Sequence, residues 1–446
     1  MDQLNYGRAL MGDSLGYHIL FALLGVGIPL LISLSELIGL IKKDNHYYTM
    51  ARRWSFALGV LFVVGAASGT IISIQLNALW PSFMTLAGKI IGLPFFLEGF
   101  AFFIETIFLG IYLYSWDRFS NKWTHWLCSL PIVLASATSA FFITTANAWM
   151  NNPAGFSYSN GVVSGINPIK AMFNAATPTE TSHSIFAYYL TTVLAFAGLY
   201  AIFLWREKLD IQQKIYYKKV IGMAMALGLI FACATALTGD FSGKYLAKYE
   251  PLKLAAAEGL QQSGSDADLS VGGIFHRDEN EPGEKLDGAL RFPGMLSFLA
   301  TGSIHGFVRG LNSFDPNTWP PLWIHYMFDF MVFIGIFLTT VPLIFLLLLW
   351  KKRQWAFNKF LLLLTIVAGI SGFFAVEFGW ILTEVGRQPY AIRGIMTTTQ
   401  AFTTNPDVAR WGFIFPLMYL ALFIITPWIL LRYYKKNKLD LKKNYF

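Results

Sequence analysis

Two carboxylates, Glu98 and Glu105, stand inside one apolar stretch, LPFFLEGFAFFIETIFLGIYLY. An ionisable group in membrane hydrocarbon costs several kcal/mol, so such groups persist mainly where something uses them. Seven residues is about two helical turns, which points both acids the same way at depths about 10 Å apart. A single acid has a plainer reading, as a group merely held by a neighbouring helix's hydroxyl or Arg. A stacked pair fits that reading less well and suggests proton handling or service to a cofactor within the bilayer.

The other polar groups of the apolar stretches are few: His18, His183, Asp329, Met331 and Glu377. His and Met in apolar helices are the usual axial ligands of haem iron, and a His/Met pair raises a low-spin haem's potential. His183 with Met331 would form such a pair if their helices face each other. Each is weak alone, because a lone Met is most often core packing and a lone His is as readily a hydrogen-bonded interface residue. His125 reads as an interface residue of that kind. From the residues alone the chain is a multi-haem or proton-handling membrane protein. A proton-coupled transporter remains the alternative, although no internal repeat or inverted pair of broken helices is present.

The elements that must position these groups follow from composition. The 446 residues are 55% hydrophobic and only 13% charged, too little charge to clothe a soluble protein of this size. Nine windows can each cross a bilayer as a helix: 16–41, 55–76, 93–115, 125–147, 184–205, 219–238, 323–350, 358–384 and 411–431. Of the 34 Lys and Arg, 21 fall in the segments 42–53, 117–124, 206–219, 351–359 and the C-terminal tail. With nine alternating spans these segments share one side, which is therefore cytoplasmic, and the N-terminus lies outside. The net charge of +8 belongs to these flanks and is no argument for nucleic-acid binding. The first span is too long for a cleaved signal peptide and lacks a basic leader. Cys128 and Cys233 lie within spans and suggest neither a disulfide nor a thiolate metal site.

The expected fold is thus an all-α integral membrane protein, about nine transmembrane helices in a bundle with one long outer-face loop. Three regions follow: helices one to six in 1–238, an outer loop in 239–322, and helices seven to nine with a basic cytoplasmic tail in 323–446. The loop is rich in Gly, Asp, Glu and Ser (QQSGSDADLSVGG, HRDENEPGEKLDG) and reads as a partly flexible lobe. A loop of such length in a compact protein is more often functional than idle.

Six stretches, in order along nearly the whole chain, resemble subunit I of the cytochrome bd-type quinol oxidases. They are GYHILFALLGVGIPL, GLPFFLEGFAFFIETIFLGIYLYSWDR, SATSAFFITTANAWMNNPAGF, TPTETSHSIFAYYL, GDFSGKYLAKYEPLKLAAAEGL and AVEFGWILTEVGRQPYAIRG. The resemblance implies a respiratory enzyme of the prokaryotic cytoplasmic membrane that oxidises quinol at the outer face and reduces O2 to water. It implies a low-spin haem b, a high-spin haem b, and a haem d or a further haem b in its place. His183 and Met331 match the low-spin haem's axial ligands, His18 matches the ligand of one high-spin haem and Glu377 that of the other. Glu98 matches the acid at the O2-reducing haem, as ligand or proton donor, and Glu105 a proton relay. Ser139 and Asn147 match positions lining the haem and proton region. Lys253 and Glu258 match the charged pair of quinol oxidation, and Arg387 stands where a guanidinium could pair with a haem propionate.

The partners so implied are a second subunit of similar fold, a small single-helix subunit, membrane lipids, quinol and O2. A haem-bearing subunit that oxidises quinol but passes electrons to a partner would need neither His18 nor the acid pair, so retention of all three disfavours it. Three residues depart from the family pattern: Tyr390 stands for the Trp of GRQPW, Glu250 for a frequent Gln, and Asp329 for an Arg. The loop is short for the family and places the chain in its short-loop branch.

Overall fold

The computed structural model describes residues 3–159, 161–206, 208–277, 284–405, 407, 412–437, 439–441 and 445–446. In chain order the helices are α1 (Gln3–Lys42), α2 (Asn45–Leu79), α3 (Pro81–Ile90), α4 (Gly92–Tyr114), α5 (Lys122–Leu127), α6 (Ser129–Asn151) and α7 (Pro168–Met172). They continue with α8 (Thr177–Arg206), α9 (Ile211–Tyr249), α10 (Pro251–Ala257), α11 (Met295–Thr301), α12 (Ile324–Lys351), α13 (Lys359–Val385), α14 (Thr398–Ala401) and α15 (Ile414–Lys436). Among the described residues nine helical segments are long and apolar enough to cross a membrane, with α5 and α6 together making the fourth.

The helices outrun the apolar windows: α1 begins at Gln3 instead of near 16, and α9 runs on to Tyr249 instead of ending near 238. Hydropathy registers only the lipid-facing middle of a helix, while amphipathic ends continue it into polar surroundings. Local chemistry sets several ends. The Asp44 carboxylate accepts from His46 N at the start of α2, Asp210 and Gln213 form a capping box on α9, and Asn358 caps α13.

The first four spans form one group, in which α1 packs along α2, α4 along α6, and α1 touches α6. The next four form a second group, in which α9 and α13 each pack against both α8 and α12. Helix α8 joins the groups through α1 and α6, and α15 lies against α1 and α2. Backbone closeness fixes α8 on α13. A Cβ on Gly369 would come 2.8 Å from the Leu194 carbonyl oxygen, so only a small residue permits this approach.

One end of the bundle carries the basic segments. There Glu36 is fully buried, with Oε1 2.6 Å from His125 Nδ1 and Oε2 accepting from the Tyr112 hydroxyl at 2.6 Å. His125 is therefore an interface residue, as expected, but its partner Glu36 was not foreseen. Replacing His125 with Leu would leave that buried carboxylate oxygen without its ring partner. The expected result is a loss of about 1–3 kcal/mol, read as a lower Tm in detergent.

At the opposite end lies the lobe, which starts at Glu250 because α9 extends so far. Its described residues are ordered into α10, α11 and paired strands: β1 (Leu269–Val271) with β4 (Leu290–Phe292), and β2 (Ile274–Arg277) with β3 (Glu284–Asp287). The flexible reading of the lobe is thus replaced, for these residues, by short hairpins; 278–283 lie outside the described residues. Gly272, Gly273 and Gly288 all adopt positive φ at the strand ends, which is the use of the glycines there. His325, at the start of α12, fastens the lobe to the bundle. Its Nδ1 is 2.8 Å from the Ala257 carbonyl oxygen and its Nε2 3.0 Å from that of Gly272.

Candidate functional site

The two histidines of the apolar helices share one arrangement. His18 Nδ1 lies 2.8 Å from Ser68 Oγ on α2, and that hydroxyl donates its own proton to the Gly65 carbonyl at 3.0 Å. The serine oxygen can then only accept, so His18 Nδ1 carries the hydrogen. His183 Nδ1 lies 3.1 Å from the Thr235 carbonyl oxygen on α9, an obligate acceptor, with Thr238 Oγ1 at 3.4 Å. Both rings therefore keep the Nε2 lone pair free, the form and the outer support of a metal-ligating imidazole.

Glu377 and Met331 complete the set from the second group. Glu377 Oε1 is buried without a hydrogen-bond partner among the described residues, and its Oε2 lies where a Cβ on Gly16 would be 3.4 Å away. Gly16 is two residues before His18, so α1 and α13 meet beside that histidine. Met331 Sδ sits over Gly379, 3.1 Å from where a Cβ would be, and His183 Cε1 lies 3.2 Å from a Cβ position on Gly239. Among the described residues no three His, Cys, Asp or Glu converge on a point as a bare metal ion requires. The four side chains stand as single candidate donors on four separate helices.

Glu98 accepts from Ser139 Oγ at 3.1 Å, which ties α4 to α6. Glu105 is 5% exposed on the same helix, about two turns nearer the basic end. Asn147 does not join these acids. Its amide donates to Glu384 Oε1, whose other oxygen accepts from Arg387 Nη2 at 2.6 Å. Asn151 Nδ2 reaches Asn147 Oδ1 at 2.9 Å and Glu180 Oε1 at 3.1 Å, while its Oδ1 accepts from Lys253 Nζ at 2.7 Å. The structure thus brings together Asn147, Arg387 and Lys253 through Asn151, Glu180 and Glu384, which sequence reasoning missed. A usable signal existed: Glu180 is one turn before His183, and Glu384 one turn before Arg387. Arg387 is 4% exposed, yet its Nε and Nη1 find no partner among the described residues, a buried cation with two donors open to an anion.

On the lobe side of this network Lys253 and Glu258 are both buried at the ends of α10. Burial, and after it the charge of Asp329, pushes the Glu258 carboxyl up to about 8. Asp329 itself accepts from Gly272 N at 2.6 Å and lies 3.4 Å from His325 Nε2. Asp329 is thus tied to a lobe amide and stands beside a histidine one helical turn away on α12.

Among the described residues, nine membrane-length helices packed as one bundle make this an integral membrane protein by class. Over residues 6–438 the chain matches the model of the family described as cytochrome bd terminal oxidase subunit I, and it belongs to that family. It is 37% identical over 442 residues to a Bacillus subtilis protein provisionally named cytochrome bd menaquinol oxidase subunit I, covering 99% of this chain and 98% of that one. Cytochrome bd ubiquinol oxidase subunit 1 of the same organism is 29% identical, with 98% and 94% covered. Among solved structures, that of the bd oxidase from Geobacillus thermodenitrificans superposes with a TM-score of 0.91 at 41% identity, covering 98% of this chain and 99% of that chain. The chain is accordingly subunit I of a bacterial membrane quinol oxidase.

Proposed function

We propose that this subunit oxidises quinol at the lobe, on the outer face, and reduces O2 to water inside the bundle with protons taken from the cytoplasmic, basic end. The observation that carries this is the pair of imidazoles, His18 and His183, each fixed by an acceptor at Nδ1 with Nε2 left free. His183 and Met331 would hold a low-spin haem b, and His18 and Glu377 the two high-spin haems, one b and one d or b. Arg387, with two open donors, suits a propionate. Bound haem supplies one-electron transfer and the O2-binding iron.

The chain's own residues do the rest. Lys253 presents a cation to a quinol oxygen as it loses its proton. Glu258, mostly protonated at neutral pH, offers a hydrogen-bond donor to the other end of the headgroup. Glu105 and Glu98 move protons inward, with Ser139 holding Glu98 in place. A second subunit of the same oxidase packs on the apolar surface; a small single-helix subunit and bound lipids complete the assembly.

A dithionite-reduced minus air-oxidised visible spectrum of the purified complex tests the reading. Haem b bands with a far-red band support three haems including haem d, and haem b bands alone place b-type haem at the O2 site. Quinol-dependent O2 uptake must accompany either; well-folded protein with no haem signal would overturn the proposal. The Glu258 role carries its own pH signature. Above about pH 8 the carboxyl loses its proton and the donor becomes a repelling anion. The KM for quinol is expected to rise through that range in the native enzyme and to stay flat in Glu258→Gln.

A further inference from the structure

Glu250 is buried to 1% exposure between the end of α9 and the start of α10. Its Oε1 accepts from the Tyr245 hydroxyl at 3.0 Å. Its Oε2 lies 2.6 Å from Lys253 Nζ, but off the line of a hydrogen bond, so that oxygen has a charge contact and no donor among the described residues. The lysine donates to Asn151 instead. Arg393 Nη1, at 3.8 Å, is the next cation, and it donates to the Tyr249 carbonyl. Among the described residues the next charged side chain at this pair is Glu180 on α8, bound to Asn151, with Arg387 and its partner Glu384 on α13 beyond it.

This arrangement poses a problem for a lysine meant to stabilise a quinolate. A buried cation already compensated by a carboxylate at 2.6 Å has little field left for a second anion. The open Oε2 offers a way out. We propose that Glu250 is the proton-accepting partner of Lys253 and controls the lysine's charge during quinol oxidation. Lys253 Nζ gives one proton to Glu250 Oε2 and takes the hydroxyl proton of the bound quinol. One N–H bond breaks as an O–H bond forms on the carboxylate, and the quinol O–H breaks as the N–H is restored. The quinol is left as its monoanion facing an ammonium no longer neutralised, and no electron moves in this step. The raised carboxyl of Glu258 agrees with this division, since a group that keeps its proton at neutral pH leaves the base role to another.

Because the inference rests on Lys253 being at the quinol site, two variants are measured together in the haem-loaded complex. Glu250→Gln preserves shape and the Tyr245 contact but cannot take a proton, and it leaves Lys253 permanently uncompensated. It is expected to lower kcat for quinol at least about tenfold while tightening binding of an acidic hydroxyquinoline N-oxide, titrated by tryptophan quenching, by a similar factor. Its reduced-minus-oxidised spectrum stays that of the native complex. Lys253→Met is expected to weaken both quinol KM and analogue binding. If Lys253→Met does so while Glu250→Gln changes kcat and analogue affinity less than twofold, the charge-control role is overturned and the quinol site stands. If Lys253→Met leaves both unchanged, the site assignment itself fails. Should Glu250→Gln not assemble, Tyr245→Phe removes the donor at Oε1 and is expected to tighten the analogue in the same direction; no change there overturns the role.

Discussion

Replacing His183 by alanine is expected to remove the low-spin haem and to cut quinol-dependent O2 uptake by far more than the roughly 10–100-fold that loss of an outer hydrogen-bond partner costs. The argument rests on the ring's orientation. The Thr235 carbonyl at 3.1 Å can accept only, so Nδ1 holds the hydrogen and Nε2 is the sole free lone pair. A main-chain acceptor cannot be lost by side-chain substitution, which makes Thr238→Val a useful companion. That change removes only the hydroxyl 3.4 Å from Nδ1 and is expected to retain the haem and most of the activity. The visible spectrum separates the outcomes: a b-type band missing in His183→Ala while the high-spin bands persist assigns the ligand. A native spectrum with native O2 uptake would return His183 to the role of an interface histidine.

Much of the frame was legible in the sequence because lipid imposes a strong rule on composition. Nine apolar windows correspond to nine helical spans among the described residues, and most polar exceptions within them stand out against that background, Glu36 in the first window being one that did not. The helix ends were not legible, since residues such as those of 239–249 look like ordinary loop once they leave the apolar layer, yet continue α9. The order of the lobe was hidden for a related reason. Its glycines read as flexibility, and only the fold reveals that they turn short hairpins held by His325 against Ala257 and Gly272.

The candidate ligands were chosen by residue type, and the structure adds what type cannot supply: the partner that orients each one. Ser68 for His18 and Thr235 for His183 come from a neighbouring helix about fifty positions away, and no local pattern announces them. The same holds for the network through Asn151. Asn147 and Arg387 were expected near haem, but their direct link through Glu384, and from Asn151 to Lys253, depends on α6, α10 and α13 meeting at one level. Three carboxylates and two cations near span ends resemble a solvated rim in sequence; packing turns them into a linked, partly buried system in which each charge sets the worth of the next.

The second large effect is expected at Glu105. Glu105→Leu should slow O2 reduction by about a hundredfold or more, the scale of a lost general acid or relay, with haem spectra unchanged. Two features of its place argue for transport over structure. It lies about 10 Å nearer the basic end than Glu98 on the same face of α4, so a proton travelling towards Ser139-bound Glu98 meets it first. It is also 5% exposed in an apolar helix, where a carboxylate without a function is a burden and an isosteric apolar replacement is neutral or stabilising. The Tm of Glu105→Leu should therefore equal or exceed that of the native protein while turnover collapses, and Glu105→Asp should recover part of the rate. Reduction of the haems by quinol under anaerobic conditions should proceed normally, because the proposed function gives that half of the reaction to Lys253 and the lobe. A fallen Tm with a missing haem band would make Glu105 a structural or ligand carboxylate, and proton delivery to Glu98 would then have to enter from another helix.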